Sequence, residues 1–274
     1  MDRKESDALR EKADDIRALA LKMFEKIGKG HVGGSMSICD LLSVLYFKRM
    51  NIRPAEPKWE DRDRLVLSKG HAGPALYAAL ALKGYFPVEE CMTLNQPGTN
   101  LPSHCDMRRT IGVDMTAGSL AQGFSASVGM ALACRLDKRP NRVYAIIGDG
   151  ESQEGQIWEA AMYAGNQKLS NLTAFCDNNG MQIDGTIKEI NDVQPIAEKW
   201  RAFKWNVVEC NGHDVDEIDD AVTKAHSETE RPTMIVMKTI KGKGANFCEG
   251  TVASHSTAVN AEQLECALKA LHRE

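Results

Sequence analysis

The sequence predicts an α/β fold: a doubly wound parallel sheet with helices on both faces. Three observations carry that expectation. Apolar runs of strand length alternate with segments of helical periodicity along most of the chain. Two such runs, Val143-Tyr144-Ala145-Ile146-Ile147 and Leu172-Thr173-Ala174-Phe175-Cys176, each end in a polar, glycine-bearing turn and enclose a helical stretch. That is a β-α-β unit whose two turns emerge at one edge of the sheet. A third segment shows Gly123, Ala126, Gly129 and Ala133 on one helical face, smooth enough to lie close against a sheet or another helix.

Each element follows from its local pattern. Residues 5–27 form an amphipathic helix with Leu9, Ala13, Ile16, Leu19, Ala20, Met23, Phe24 and Ile27 on one stripe, stopped by Gly28 and Gly30. A second helix is expected over about 37–50, ending before Pro54. Residues 64–67 read as a short strand. Residues 73–83, rich in alanine and leucine, read as a helix closing at Gly84. An irregular stretch covers 97–118, after which Ser119 opens the small-residue helix that reaches Arg135. The helix inside the β-α-β unit runs over 154–168. A helix at 193–203, a strand at 207–210, a helix at 215–227 and a strand at 233–239 follow. A second irregular stretch spans 241–259, and a last helix closes the chain. No linker divides it, so one domain is expected over 1–274, with an N-terminal helical extension.

Composition excludes several functions. With 274 residues, 43% of them hydrophobic, the chain has ample core. Net charge is −4 and no long basic block is present, which disfavours nucleic acid as a partner. No apolar run approaches the length of a membrane span, and the N-terminus reads as charged helix rather than as a signal peptide. Eight cysteines are scattered without CxxC pairs, so neither a zinc site nor a disulfide framework is indicated. A reducing, cytoplasmic setting is expected.

The chemistry concentrates in the two turns of the β-α-β unit, Gly148-Asp149-Gly150 and Asp177-Asn178-Asn179-Gly180. Asp149 offers a carboxylate and Asn179 a side-chain carbonyl to one small volume. Hard oxygen donors suit Mg²⁺ or Ca²⁺, and Mg²⁺ usually completes its shell with water and phosphate. Glycine lets the backbone approach a phosphate closely. An Asp-Gly turn alone is common; the whole pattern of strand, Gly-Asp-Gly, helix, strand and paired asparagines is far more specific. Four of the seven histidines sit in glycine- or serine-lined turns: His31, His71, His104 and His255. Any one of them alone would ordinarily be a surface residue, and Lys69 and Lys241 ordinary solvated charges. As a set they suggest a polar pocket for phosphates or hydroxyls.

Taken together, these segments resemble transketolases. The Gly148-Asp149-Gly150 to Asn179 span is similar to the thiamine diphosphate motif. Lys29-Gly30-His31, Leu67-Ser68-Lys69-Gly70-His71-Ala72, Gly118-Ser119-Leu120-Ala121-Gln122-Gly123 and Gln153-Glu154-Gly155 are similar to transketolase segments in particular. The resemblance runs from about 13 to 255 and covers the N-terminal, diphosphate-binding part of that family. Two local departures are visible: Ser119 stands where the family usually has proline, and Ser256-Thr257 follows His255 where the family often has glycine or histidine with a proline.

The resemblance implies a role for each matched residue. Asp149 and Asn179 by their side chains, and Met181 by its backbone carbonyl, would hold Mg²⁺ (or Ca²⁺ or Mn²⁺). Gly150, His71 and His255 would contact the diphosphate of thiamine diphosphate, with Lys69 and Lys241 as charge partners. Gly118 and Leu120 would line the cofactor pocket and Ile183 would pack on the thiazolium. Glu154, with Glu159, would lie near the cofactor in an acidic network at a subunit interface. His31, His104 and His255 would act catalytically, moving protons at the sugar hydroxyls and carbonyl. The implied activity is transfer of a two-carbon ketol unit from a ketose (phosphate) to an aldose (phosphate) through the thiamine diphosphate carbanion. The family's pyrimidine-binding domain and its cofactor-activating glutamate are expected on a separate C-terminal subunit, with two copies of each chain. Alternatives are the same chemistry on a branched-chain or sulfonated ketose, a two-oxoacid decarboxylase subunit, and a non-catalytic diphosphate-binding scaffold.

Overall fold

The computed structural model describes residues 1–273. The first helix, α1 (Arg3–Ile27), starts where Asp2 accepts the Glu5 N–H at 2.8 Å and ends where Gly28 turns left-handed. Leu9, Ala13, Ile16, Ala20, Met23 and Phe24 are buried along it, so α1 belongs to the core. A two-residue strand, β1 (Lys29–Gly30), leads into α2 (Val32–Met36) and α3 (Cys39–Val44). The single helix expected over 37–50 is thus interrupted. Its last turn, Leu45–Arg49, widens to a π-helix, and this turn brings Lys48 and Arg49 to the buried carboxylate of Asp219.

The strand β2 (Arg64–Leu67) and the helix α4 (Gly73–Lys83) fall where the sequence places them. Then come α5 (Gln122–Leu136), β3 (Val143–Gly148), α6 (Gly155–Asn166) and β4 (Leu172–Asn178). Both strands outlast their apolar runs, because ladder pairing continues through Gly148 with Asp177 and Asn178 with Lys238. Short helices α7 (Ile187–Ile190) and α8 (Ile196–Ala202) precede β5 (Asn206–Asn211), α9 (Val215–Ser227) and β6 (Thr233–Lys238). The stretch 241–259, expected to be irregular, contains a 3₁₀ turn (Val252–His255) and a small strand, β7 (Thr257–Ala258), before α10 (Ala261–Ala270).

Five strands form one parallel sheet in the order β2-β3-β4-β6-β5. Strand alternation sends Tyr144, Ile146, Phe175, Ile235 and Met237 into a core shared with α1, α3, α4 and α9. Val143, Ala145, Ile147, Ala174 and Cys176 face the other way, toward α5, α6 and α8 around Trp200 and Trp205. Both faces are covered, as a parallel sheet requires. The eight cysteines are free. Among the described residues no helix is long and apolar enough to cross a membrane. Because β3 and β4 are neighbours, the turns that follow them open side by side at the carboxyl edge of the sheet, where ligands of such folds bind.

Candidate active site

The two turns are stitched together by hydrogen bonds. The Asp149 N–H donates to the Asp177 carbonyl at 3.2 Å. One carboxylate oxygen of Asp149 accepts the Gly180 N–H at 2.5 Å and the other accepts the Gly150 N–H at 2.8 Å. Gly180 has φ of +76°, which lets the chain reverse directly after Asn179. The loop then folds back on itself, with Gln182 N–H on the Gly185 carbonyl and Ile187 N–H on the Gly180 carbonyl. Asn179 is held by two bonds: its Nδ2 donates to Asp177 at 3.1 Å and its Oδ1 accepts the Met181 N–H at 3.1 Å.

Beneath these turns lies a charged floor that the sequence alone does not signal. Asp177 is fully buried and paired with Lys69 at 2.6 Å; it also accepts from Ser37 at 2.7 Å and from Thr239. Burial pushes this carboxyl up, but Lys69 and the hydroxyls together outweigh it and hold the group ionised. Lys69 also donates to the Gly34 carbonyl at 2.7 Å. Its charge is therefore committed to Asp177, although the side chain still borders the cavity. Glu151, likewise buried, accepts from Ser68 at 2.5 Å and from the Ala121 N–H at 2.8 Å. Ala121 is left-handed (φ 69°), so α5 starts at Gln122 and not at Ser119, and Gly118 and Leu120 remain in a loop facing the site. Neither buried carboxylate has a sequence signal of its own; Asp177 lies inside the second turn, and only its contacts show its task.

The four turn histidines meet. Antiparallel pairing of Gly30 with Thr257 ties β1 to β7 and draws the two segments flanking them together. The His31 ring centroid then lies 5.4 Å from His71, 5.6 Å from His104 and 5.4 Å from His255; His71 and His255 are 5.2 Å apart. Burial lowers the pKa of all four, helped at His71 by Lys69 and at His255, down to about 4, by Lys241. The imidazoles are neutral at pH 7, each with one donor and one acceptor nitrogen.

One cavity of about 390 Å³ collects these groups. It is lined by Asp149, Gly150, Asn179 and Met181 from the two turns, and by Lys69, Lys241 and the four histidines. Gly118, Leu120, Glu154 and Ile183 complete the set expected from the sequence, so every one of those site residues borders it. Ile183 presents a large apolar side chain, 61% exposed, to this opening. Glu154 and Glu159 are exposed. Gln153 and Gln182, bonded to each other at 2.5 Å, are further lining residues that no sequence pattern singles out.

The electrostatics describe a place made for a cation and an anion together. Burial and the nearby Asp177 raise the Asp149 pKa to about 7, against the pull of two backbone N–H groups. Burial lowers Lys241 to about 8. Its ammonium lies 3.4 Å from the Met181 carbonyl, 3.3 Å from the Gln182 carbonyl and 3.3 Å from His255 Nδ1. Among the described residues no group of three or more His, Cys, Asp or Glu side chains could hold a metal. A cation here would instead need the mixed oxygen set of one carboxylate, one amide and one backbone carbonyl, which suits a hard divalent ion.

Comparison with known proteins agrees with this geometry. The family model described as transketolase, thiamine diphosphate binding domain, matches residues 9–272. A Clostridium protein named 6-deoxy-6-sulfo-D-fructose transketolase subunit SqwG is 59% identical over 97% of this chain and 97% of its own. One of the two subunits named for an apulose-4-phosphate transketolase of Phocaeicola vulgatus is 38% identical over 96% of this chain and 93% of its own. The solved transketolase of Campylobacter jejuni superposes with a TM-score of 0.91 at 32% identity, over 97% of this chain. This chain spans 43% of that protein, and so corresponds to less than half of the solved transketolase.

Proposed function

Since this chain belongs to the transketolase family, by its thiamine diphosphate binding domain, we propose that it is the N-terminal, diphosphate-binding subunit of a two-chain transketolase. The reaction is transfer of a two-carbon ketol unit from a ketose to an aldose. The carrying observation is the convergence, in one cavity at the carboxyl ends of β3 and β4, of Asp149, Asn179, Lys241 and four neutral histidines.

The residues fit the cofactor with a divalent metal, Mg²⁺ or else Ca²⁺ or Mn²⁺. Asp149, Asn179 and the Met181 carbonyl would hold the ion, and its charge would stabilise the buried Asp149 carboxylate. Gly150, His71, His255 and Lys241 would face the diphosphate, while Lys69 acts through Asp177. Gly118, Leu120 and Ile183 would bound the apolar part of the cofactor, with Glu154 at the rim. Thiamine diphosphate, when bound, supplies the carbon nucleophile that accepts the two-carbon unit. His31, His104 and His255 would bind the sugar hydroxyls and carry protons to and from its oxygens. Neutral imidazole suits both directions, because cleavage of the ketose C2–C3 bond and addition to the acceptor aldehyde move a proton in opposite senses.

Relatives of the same length are named as subunits, which supports a partner bringing the pyrimidine-binding domain and its glutamate, with two copies of each chain. We read the chain itself as one domain. Its eight free cysteines support a reducing, cytoplasmic setting. A second reading concerns the sugar. The 59% identity to a sulfofructose transketolase subunit favours a ketose ending in a sulfonate over one ending in a phosphate. The test is to incubate the co-produced pair, with Mg²⁺ and thiamine diphosphate, with sulfofructose, fructose 6-phosphate, apulose 4-phosphate and pyruvate. An aldose two carbons shorter than the ketose is expected, fastest from sulfofructose under the second reading. Carbon dioxide from pyruvate with no ketol transfer would overturn the proposal.

A further inference from the structure

Behind Lys241, outside the cavity, lies a buried charged cluster that the proposed chemistry does not use. Asp40 of α3 is 5% exposed, and one of its oxygens takes both the Arg17 guanidinium and His213 Nδ1, the latter at 2.9 Å. Both partners continue to the same loop. The Ile240 N–H donates to His213 Nε2 at 2.8 Å, and Arg17 Nε donates to the Lys243 carbonyl at 3.2 Å. These bonds fix the tautomer of His213. Nε2 must be bare to accept from Ile240, so the proton sits on Nδ1 and is donated to Asp40.

We propose that Asp40, His213 and Arg17 form a clamp that positions the Lys241 loop from behind, with His213 as the critical positioning residue. The two grips, at residues 240 and 243, flank Lys241. A third contact, from the Gly242 N–H to the Gly33 carbonyl at 3.0 Å, secures the loop on the cavity side. The next residue, Gly244, is left-handed (φ +86°), and a Cβ there would lie 2.9 Å from Arg17 Cδ, so the loop and the guanidinium are closely apposed. Lys241 is 3% exposed and therefore has little freedom to find the cavity if its backbone moves. None of the three clamp residues lines the cavity. Their effect on ligand reaches it only through the loop. The inference rests on the reading of the cavity as a diphosphate cradle.

The experiment compares wild type with His213→Ala, His213→Gln and His213→Asn, each as the full chain with its partner subunit. Glutamine can offer an acceptor near the Nε2 position to Ile240; asparagine can keep only the donor toward Asp40. Hydrogen exchange over 240–245 should accelerate in H213A and H213N and stay near wild type in H213Q. The calorimetric Kd for thiamine diphosphate with Mg²⁺ should rise about tenfold in the same two variants, equivalent to the loss of one hydrogen bond. The KM for the acceptor sugar should not change. Unchanged exchange and Kd in H213A would overturn the proposal. So would rescue by Asn but not Gln, or an equal loss in all three variants that follows a lowered Tm. If wild type itself binds no thiamine diphosphate, the cradle reading fails, and the exchange pattern alone decides the clamp.

Discussion

Asp149 is the residue on which the metal reading depends. It is buried, within reach of the negative Asp177, and its only close partners are two backbone N–H groups. A buried carboxylate so placed gains most from a bound cation. Asp149→Ala should weaken Mg²⁺-dependent binding of thiamine diphosphate at least about a hundredfold, the scale expected when one member of a buried charge pair is removed. Calorimetry on the assembled enzyme checks this, and an unchanged Kd would remove Asp149 from the metal site. His104 should behave differently. It is exposed at the mouth and next to His31 but makes no contact with Asp149 or Lys241. His104→Ala should lower kcat by about a hundredfold, typical of losing a proton-transfer group, with less than a threefold change in cofactor Kd. A large loss of affinity with turnover preserved would make it a cofactor ligand instead. At this scale the candidate site was legible, because each residue carried its own chemistry in a recognisable pattern. Asp177 and Glu151 were missed for the opposite reason: a buried carboxylate is defined by its partners, which lie far away in sequence.

Among the elements, the long ones could be read and the short ones could not. The helices at 73–83 and 215–227 and the strand at 64–67 stand where periodicity puts them. Periodicity needs several turns or alternations to register, so it cannot detect β1, β7 or α2. The first two decide the site, because their pairing brings His31 and His255 together. The start of α5 was misjudged because the Glu151 carboxylate holds the Ala121 N–H and a left-handed turn replaces the first helical turn. The junction of β3 with α9 yields a stability prediction. His226 on α9 bonds the Tyr144 hydroxyl of β3 at 2.8 Å. Burial, then Arg142 and Arg49, lower its pKa to about 4. The unfolded chain protonates this histidine near 6.5 and the folded chain only near 4. Between those values the unfolded state binds more protons, so stability is full above about pH 6.5 and falls toward pH 4. His255 acts in the same direction. His226→Gln should flatten this acid limb in urea titrations by on the order of 1–2 kcal/mol, allowing for partial exposure of the ring. An identical pH dependence in the variant would refute that assignment.

At the scale of the whole molecule, the parallel sheet turns two separate polar turns into one cradle. Alternating strands and helices were enough to predict that arrangement, because a β-α-β unit has one favoured hand and sends both turns to the same edge. The closure of the far loop over the cavity was not predictable, since it depends on Gly33, Thr257 and the His213 clamp acting across the fold. The cavity gathers groups for a metal, a diphosphate and the sugar oxygens. Relatives of this length are named as subunits, and the solved transketolases it matches are more than twice as long. The central claim is that this chain holds the diphosphate half of a ketol-transfer site completed by a second chain. The most direct test measures two-carbon transfer from a ketose to an aldose by this chain alone, by its partner alone, and by the two combined, with and without thiamine diphosphate and Mg²⁺. Transfer is predicted only from the combined chains, and only with both cofactors present. Transfer by this chain alone, or by the pair without thiamine diphosphate, would contradict the claim.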